Sequence, residues 1–124
     1  MATVELKQDN FESVVTGNDL VIVDFWAPWC GPCRSFAPVY DQMSEKYPDI
    51  VFAKVNTEEE QQLAGYFNIR SIPTLMVFRE KIIVYSEAGA LPASGLENLI
   101  QAAQQLNMDE VRQQIEADQQ GKKA

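Results

Sequence analysis

The sequence contains no histidine and only two cysteines. The lack of histidine excludes Cys-His proteases, Ser-His-Asp hydrolases and histidine-ligated metal or haem sites, because each of these needs an imidazole. A bridge between Cys30 and Cys33 would close too short a loop to serve as a structural disulfide framework, since it restricts the unfolded chain very little. The cysteine pair therefore needs a chemical explanation.

Long apolar runs and positive charge are also scarce. No uninterrupted apolar run reaches the roughly eighteen residues of a membrane span, and residues 1–10 lack the basic start and apolar centre of a signal peptide. The chain has 10 basic and 18 acidic residues, a net charge of -8, which repels phosphate backbones and anionic membranes. We therefore expect a cytoplasmic protein that binds neither nucleic acid nor membranes, and we attribute its acidity to solubility.

Strand and helix signals alternate along the chain. Apolar runs rich in β-branched and aromatic residues predict strands buried in a sheet, at Val21–Phe25, Ile50–Val55, Thr74–Phe78 and Ile82–Tyr85, with a weaker first strand at Thr3–Leu6. Apolar residues at helical spacing predict helices over Phe11 to Gly17, Pro32 to Tyr47, the region of Leu63 and Phe67, and Leu96 to Leu106. The order β-α-β-α-β-α-β-β-α predicts one α/β domain.

Two capping signals lie in the second half of the chain. Thr57 with Glu60 predicts a capping box at the start of the third helix, with the acidic run that ends at Glu60 in its first turn. Asn107 with Glu110 predicts a further helix start, followed by a narrow apolar stripe. We therefore divide the chain into a domain over residues 1–106 and a helical extension over residues 107–124, frayed from residue 119 onward. The alternatives for the extension are continuation of the preceding helix, packing as a separate helix and binding of a partner, and the narrow stripe favours packing.

The most specific signal is the segment from Trp26 to Cys33, Trp-Ala-Pro-Trp-Cys-Gly-Pro-Cys, placed where a buried strand ends and a helix begins. Free backbone N–H groups and the helix dipole at that point favour the thiolate of Cys30, which is the form that attacks a disulfide. Two intervening residues place Cys33 within bonding reach of Cys30, with its sulfur less exposed. Pro32 fits the first helical turn, where a missing N–H has no effect.

The segment and several separated motifs resemble the thioredoxin family, in particular its bacterial-type members with a Trp-Cys-Gly-Pro-Cys site. The resemblance covers roughly residues 3–106. Its further motifs are Val-Asp-Phe-Trp at 23–26, Ala-Pro at 37–38, Ala-Lys-Val-Asn at 53–56, Ile-Pro-Thr at 72–74 and Gly-Ala at 89–90. It implies the thioredoxin fold, a central mixed β-sheet of about five strands flanked by four helices, here followed by a helical C-terminal extension.

The resemblance also implies a role for each matching residue. Cys30 is the attacking thiol, Cys33 the resolving thiol, and Asp24 a buried carboxylate that relays a proton to or from Cys33. Lys54 lies nearby and tunes the pKa of Asp24. Burial supports this independently, because desolvation of a carboxylate within an apolar strand raises its pKa toward the range useful for proton transfer.

The substrate-binding surface follows from the same resemblance. Its predicted members surround the cysteine pair and are Trp29, Gly31, Pro32, Ile72, Pro73, Gly89 and Ala90. Ile72 offers backbone groups to an extended substrate. Pro73 is expected to follow a cis peptide bond on the strength of the resemblance alone, since most X-Pro bonds are trans.

The implied function is protein disulfide reduction without a bound cofactor or metal. The chain is expected to act as a monomer on disulfide-containing proteins and to be re-reduced by a thioredoxin-reductase-like flavoprotein that takes electrons from NADPH. Alternatives are an oxidase or isomerase, a binding module whose redox state is incidental, and a zinc site shared with a second chain. The hairpin at Arg79-Glu80-Lys81 departs from the family's usual Asn-Gly turn, which leaves its turn geometry open.

Overall fold

A computed structural model describes the backbone of residues 2–123 and the side chains of residues 2–119. Within these limits the strands are β1 Thr3–Glu5, β2 Leu20–Trp26, β3 Val51–Asn56, β4 Thr74–Arg79 and β5 Ile82–Ala88. The helices over the same residues are α1 Phe11–Thr16, α2 Gly31–Lys46, α3 Gln61–Tyr66, α4 Ala93–Gln105 and α5 Met108–Lys123. The predicted order of elements is confirmed.

The described strands form one mixed sheet in the order β1-β3-β2-β4-β5. β3 runs parallel to both β1 and β2, whereas β4 is antiparallel to β2 and β5 is antiparallel to β4. β2 therefore occupies the centre, which agrees with its nearly continuous apolar sequence and its burial on both faces. This confirms the predicted central mixed sheet of about five strands.

Successive residues of β2 point to opposite faces of the sheet and enter two separate cores. Leu20 and Ile22 belong to the cluster that includes buried residues of α2 and α4. Val21, Val23 and Phe25 belong to the cluster that includes buried residues of α1 and α3. The same alternation places the side chain of Asp24 on the face covered by α2 and α4.

β5 differs from its prediction as a buried strand. It extends to Ala88, beyond the predicted end at Tyr85, and its residues are half-buried or exposed. Ile83, for example, is 46% exposed. The reason is its place at the edge of the sheet, which apolar sequence alone does not distinguish from a central position.

The predicted capping box before α3 is wrong. The Thr57 hydroxyl donates a hydrogen bond to the carbonyl oxygen of Trp26, and a carboxylate oxygen of Glu60 accepts one from the N–H of Gln8. Residues 57–59 form a turn, and α3 begins only at Gln61, so the acidic run precedes the helix. Both side chains are thus engaged by distant residues.

The hairpin between β4 and β5 has a two-residue turn formed by Glu80 and Lys81. Their φ angles are 50° and 73°, both in the left-handed region. Two-residue hairpin turns of this kind suit the twist of the strands, and Asn-Gly usually supplies them because β-carbons disfavour positive φ. The chain therefore keeps the hairpin geometry without the residues that adopt it most easily.

The extension packs against the end of the sheet where this hairpin lies. The Asn107 side chain accepts a hydrogen bond from the N–H of Glu110, which confirms the predicted cap, and Met108 is buried. Arg112 forms ion pairs with Glu80 and Asp109. The fraying predicted from residue 119 stays a prediction, because the side chains of residues 120–123 and all of residue 124 lie outside the described part.

Candidate active site

The cysteine loop connects the end of β2 with the start of α2. The N–H of Cys30 donates a hydrogen bond to the carbonyl of Ala27, which closes a turn after the strand. Cys30 is the N-cap of α2, with extended backbone angles of φ -85° and ψ 113°, and its sulfur accepts a hydrogen bond of 3.2 Å from the N–H of Cys33. An anion on this sulfur would meet a free N–H at the positive end of the helix.

Cys30 and Cys33 are joined in a disulfide, and their Cα atoms lie 5.2 Å apart. Both are buried, with exposed fractions of 5% for Cys30 and 2% for Cys33. They pack with Ala27 in a small cluster that Trp26 and Ile72 partly cover. In the disulfide form both residues are therefore almost closed to solvent, Cys30 slightly less so than Cys33.

A second loop, before β4, lies against the disulfide. The peptide bond between Ile72 and Pro73 is cis, as the family resemblance implied. The carbonyl oxygen of Ile72 lies 3.8 Å from the sulfur of Cys30, and the carbonyl of Pro73 accepts a hydrogen bond of 2.8 Å from the N–H of Gly89. Gly89 has a φ of +109°, a conformation that side chains rarely adopt. The structure thus brings Ile72 to the cysteine pair and links Gly89 to the adjoining Pro73.

The remaining predicted surface residues lie on the adjoining segments. Trp29 directly precedes Cys30 and is 64% exposed, so its indole faces solvent beside the disulfide. Gly31 and Pro32 form the first turn of α2, where the neighbourhood of Gly31 is open. Ala90 follows Gly89 and is exposed. An exposed aromatic ring beside open backbone suits contact with another polypeptide.

Asp24 occupies the middle of the central strand, where its side chain is 1% exposed. Neither carboxyl oxygen has a hydrogen-bond partner among the residues that the structure describes. Burial raises the pKa of Asp24 from its ordinary value of 3.8 to about 7, against the attraction of Lys54, which lowers it. The carboxyl group can therefore exchange a proton near neutral pH.

Lys54 pairs with Asp24 in the register of β2 and β3. Its ammonium nitrogen lies 4.6 Å from the centre of the Trp26 ring, within range of a cation-π interaction. The ammonium thus lies over an indole that packs on the cysteine cluster, and its charge lowers the pKa of Asp24.

The sequence does not single out Tyr40, which falls within the apolar spacing that predicts a helix over Pro32 to Tyr47. Tyr40 is fully buried, and its hydroxyl lies 2.9 Å from the carbonyl oxygen of Ile22 and 2.7 Å from that of Ala53. The available signal was the residue type itself, since a buried tyrosine usually needs a hydrogen-bond partner. The sequence did not indicate which groups would supply it.

The described residues contain no group of three or more Cys, Asp or Glu side chains placed to hold a metal ion. None of the helices within the same part of the chain is long and apolar enough to cross a membrane.

Comparison with known proteins identifies the family. The thioredoxin family model matches residues 2–102. The chain belongs to the thioredoxin family. A putative thioredoxin 2 from Streptomyces coelicolor is 51% identical over 114 residues, which cover 92% of this chain and 85% of that protein. A thioredoxin from Porphyra purpurea is 44% identical over 81% of this chain and 95% of its own length.

Solved thioredoxin structures share the fold. A thioredoxin from Plasmodium falciparum has a TM-score of 0.75 at 39% identity, covering 81% of this chain and 98% of that one. A mutant thioredoxin from Halobacterium salinarum has a TM-score of 0.78 at 32% identity, covering 85% and 93%. The Streptomyces match spans more than residues 1–106 can hold, so this relative also aligns with part of the extension.

Membership in the family settles the general chemistry. The chain is a thiol-disulfide oxidoreductase of this family, whose members act on disulfide-containing substrates. Members of the family need no bound cofactor, because the redox-active disulfide belongs to the chain itself. Here that disulfide is the Cys30–Cys33 pair at the start of α2.

Proposed function

We propose that the chain reduces disulfides in other proteins, with Cys30 as the attacking thiolate and Cys33 as the resolving thiol. The observation that carries the proposal is the position of the Cys30 sulfur at the N-cap of α2, where it accepts a hydrogen bond from the N–H of Cys33. The same hydrogen bond and helix dipole favour a negative charge on Cys30 in the reduced protein.

The reaction proceeds through two thiol-disulfide exchanges. The Cys30 thiolate attacks one sulfur of the substrate disulfide, forms a mixed disulfide and releases the other substrate sulfur as a thiolate, which takes up a proton. The Cys33 thiol then loses its proton and attacks the sulfur of Cys30, which releases the second substrate thiol. The substrate gains two electrons and two protons, and Cys30 and Cys33 become a disulfide.

Asp24 is proposed to take the proton from Cys33 in the second exchange. Its support is a pKa raised to about 7 by burial, which leaves the carboxyl able to hold or release a proton near neutral pH. Lys54 opposes part of that rise through its positive charge. It is therefore proposed to keep the pKa of Asp24 from rising further.

The proposed substrate surface consists of the exposed indole of Trp29 and the backbone around the disulfide. An extended substrate segment would lie along Ile72 and Pro73, beside the carbonyl oxygen that lies 3.8 Å from the Cys30 sulfur. Backbone groups suit a reductase of many proteins, because they recognise a strand without selecting its side chains. The other proposed contacts are Gly31, Pro32, Gly89 and Ala90.

The proposed electron donor is a thioredoxin-reductase-like flavoprotein that draws electrons from NADPH. A dithiol must be regenerated after each turnover, and the cytoplasm maintains the reducing pool that this requires. We propose that the protein acts there, as a monomer.

The proposal predicts specific effects of replacing each cysteine. With NADPH and a thioredoxin reductase, or with dithiothreitol, the chain should reduce insulin disulfides, and Cys30→Ser should lower turnover to the uncatalysed rate. Cys33→Ser should lose turnover as well, but it should retain one attack and accumulate a mixed disulfide that can be isolated on a non-reducing gel.

The double variant Cys30→Ser, Cys33→Ser is the control for binding without chemistry. Full insulin reduction by the Cys30→Ser protein would contradict the assignment of the attacking sulfur. A mixed disulfide that forms in Cys30→Ser but not in Cys33→Ser would reverse the two roles.

A further inference from the structure

Tyr40 belongs to the same face of α2 as the resolving cysteine. The two residues are seven positions apart, which corresponds to about two helical turns, and both are buried. Side chains of a helix lean toward its N-terminus, so the phenol of Tyr40 extends back toward the end that carries Cys33. Its hydroxyl therefore reaches the sheet close to the active site.

The hydroxyl contacts the two strands that hold Asp24 and Lys54. Its partners are the carbonyl oxygens of Ile22 in β2 at 2.9 Å and Ala53 in β3 at 2.7 Å. Ile22 lies two residues before Asp24, and Ala53 directly precedes Lys54. The hydroxyl thus joins the helix of the cysteines to the strand pair that carries the carboxyl.

The hydroxyl is not required for packing. The Tyr40 ring packs at 5.7 Å from the ring of Phe36 and 5.4 Å from that of Phe52, contacts that a phenylalanine would also make. A buried hydroxyl among aromatic rings brings a desolvation cost that its hydrogen bonds must offset. Its distinctive property is to place a polar group on the face of the sheet where Asp24 has no hydrogen-bond partner among the described residues.

Among the described residues on the face of the sheet that carries Asp24, β3 contributes Lys54, the register partner of Asp24, and α2 contributes the buried residues Tyr40 and Cys33. β4 contributes Leu75, the register partner of Asp24, while the buried α4 residues on this face are apolar. Burial and then the charge of Asp24 raise the pKa of Tyr40, and Asp41 on α2 acts in the same direction. Tyr40 therefore stays a neutral hydroxyl throughout the range in which Asp24 titrates.

We propose that Tyr40 is a positioning residue whose hydroxyl sets the protonation equilibrium of Asp24. The hydroxyl proton, shared between the carbonyl oxygens of Ile22 and Ala53, offsets their negative ends, and the hydroxyl adds polarity to the buried face of the sheet on which the carboxyl lies. Both effects favour the charged form of Asp24. Removal of the hydroxyl leaves a more apolar environment with less compensated carbonyl dipoles, which favours the neutral acid.

The test compares Tyr40→Phe with Tyr47→Phe in the oxidised protein. Tyr47 follows the same helix, but its hydroxyl donates to Glu97, away from the strand pair, which makes it a matched control. Titration of the Asp24 carboxyl carbon by NMR should give a pKa higher by about half a unit or more in Tyr40→Phe, and the wild-type value in Tyr47→Phe. An unchanged or lower pKa in folded Tyr40→Phe would overturn the proposal.

A reciprocal measurement leaves Tyr40 intact. In the wild-type protein, the resonance of the Tyr40 carbon that bears the hydroxyl should shift with the same midpoint as Asp24, and this shift should vanish in Asp24→Asn. If that resonance stays constant through the titration of Asp24, the proposal is wrong, even where Tyr40→Phe fails to fold.

The proposal rests on the proposed function only through the role of Asp24 as proton carrier. The pH profile of insulin reduction separates the effect of Tyr40 on Asp24 from the role of Asp24 as proton carrier. If both hold, the pH profile of Tyr40→Phe should shift by as much as the pKa of Asp24 does. A changed pKa with an unchanged profile would support the influence of Tyr40 on Asp24 and contradict the proton-relay role of Asp24.

Discussion

Asp24 places an ionisable group where the chain can least accommodate a charge. The side chain is 1% exposed, and burial raises its pKa from 3.8 to about 7. The folded protein therefore binds this proton more tightly than the unfolded chain does. Between about pH 4 and pH 7 the free energy of unfolding falls as the pH rises, because the unfolded state is the one that releases the proton first. Above pH 7 the free energy of unfolding is therefore lower by roughly 4 kcal/mol than it is below pH 4, as far as Asp24 is concerned.

Asp24→Asn should remove this pH dependence. The variant should match the wild-type free energy of unfolding near pH 4, where the carboxyl is neutral, and exceed it by about 2 to 4 kcal/mol at pH 8. Its insulin reduction should be slower near neutral pH, because the amide cannot accept a proton. Urea unfolding of the oxidised proteins at several pH values measures the first effect and steady-state turnover the second.

Asp49→Asn serves as the control, since Asp49 is exposed. It should leave both the pH dependence and the turnover of the wild type intact. Equal slopes of stability against pH in wild type and Asp24→Asn would show that the carboxyl is not the buried acid described above.

At the scale of single residues, the sequence identifies residues whose interaction partners are close along the chain. It misses residues whose partners are distant along the chain. Cys30 and Cys33 are visible as a pair because their spacing and the adjoining helix start are local. Tyr40 is not, because its hydroxyl bonds to Ile22 and Ala53, which the sequence does not place beside it. Thr57 was misassigned for the same reason, since its partner is the carbonyl of Trp26 on another strand.

At the scale of elements, existence and order follow from periodicity, whereas exact ends and edge positions do not. β2 is recognisable because an apolar run so nearly continuous must lie between two covered faces. β5 resembles a central strand in sequence, yet it lies at the edge of the sheet with half-buried residues. Whether a strand lies at the edge or in the centre of the sheet depends on which strands pair with it, and the sequence of one strand does not show that pairing.

The hairpin turn offers a test at the same scale. Lys81 has a φ of 73°, so its β-carbon is held in a conformation that glycine adopts without strain. Lys81→Gly should increase the free energy of unfolding by about 0.5 to 1 kcal/mol after the entropy of the unfolded glycine is subtracted. Thermal and urea unfolding measure the change.

Lys81→Ala is the matched control, because it removes the charge and the long side chain but keeps the β-carbon. It should give no gain. Equal stability of the glycine and alanine variants would mean that positive φ at residue 81 brings no measurable strain.

At the scale of the whole molecule, the active site and the extension lie at opposite ends of the sheet. The disulfide follows the C-terminal end of β2, whereas the hairpin pairs with its N-terminal end, since Arg79 is opposite Leu20. Seven strand residues separate these ends, about 20 Å. Arg79 links the hairpin end to α4, because its guanidinium donates to the carbonyls of Ala103, Gln104 and Leu106. The extension continues from there and contacts Glu80 through Arg112.

This arrangement predicts that the extension supports stability and leaves catalysis unaffected. Removal of residues 108–124 exposes the surface that Met108 covers and should lower the free energy of unfolding by about 1 to 3 kcal/mol, with insulin reduction within about twofold of wild type. In the full chain, Met108→Ala should reproduce most of the loss, whereas Arg112→Ala should change stability by less than about 1 kcal/mol because its ion pairs are exposed. A tenfold loss of kcat/KM with intact stability would instead assign the extension to partner binding. Met108 lies at the end of the sheet away from the disulfide, so its removal can affect catalysis only by destabilising the fold.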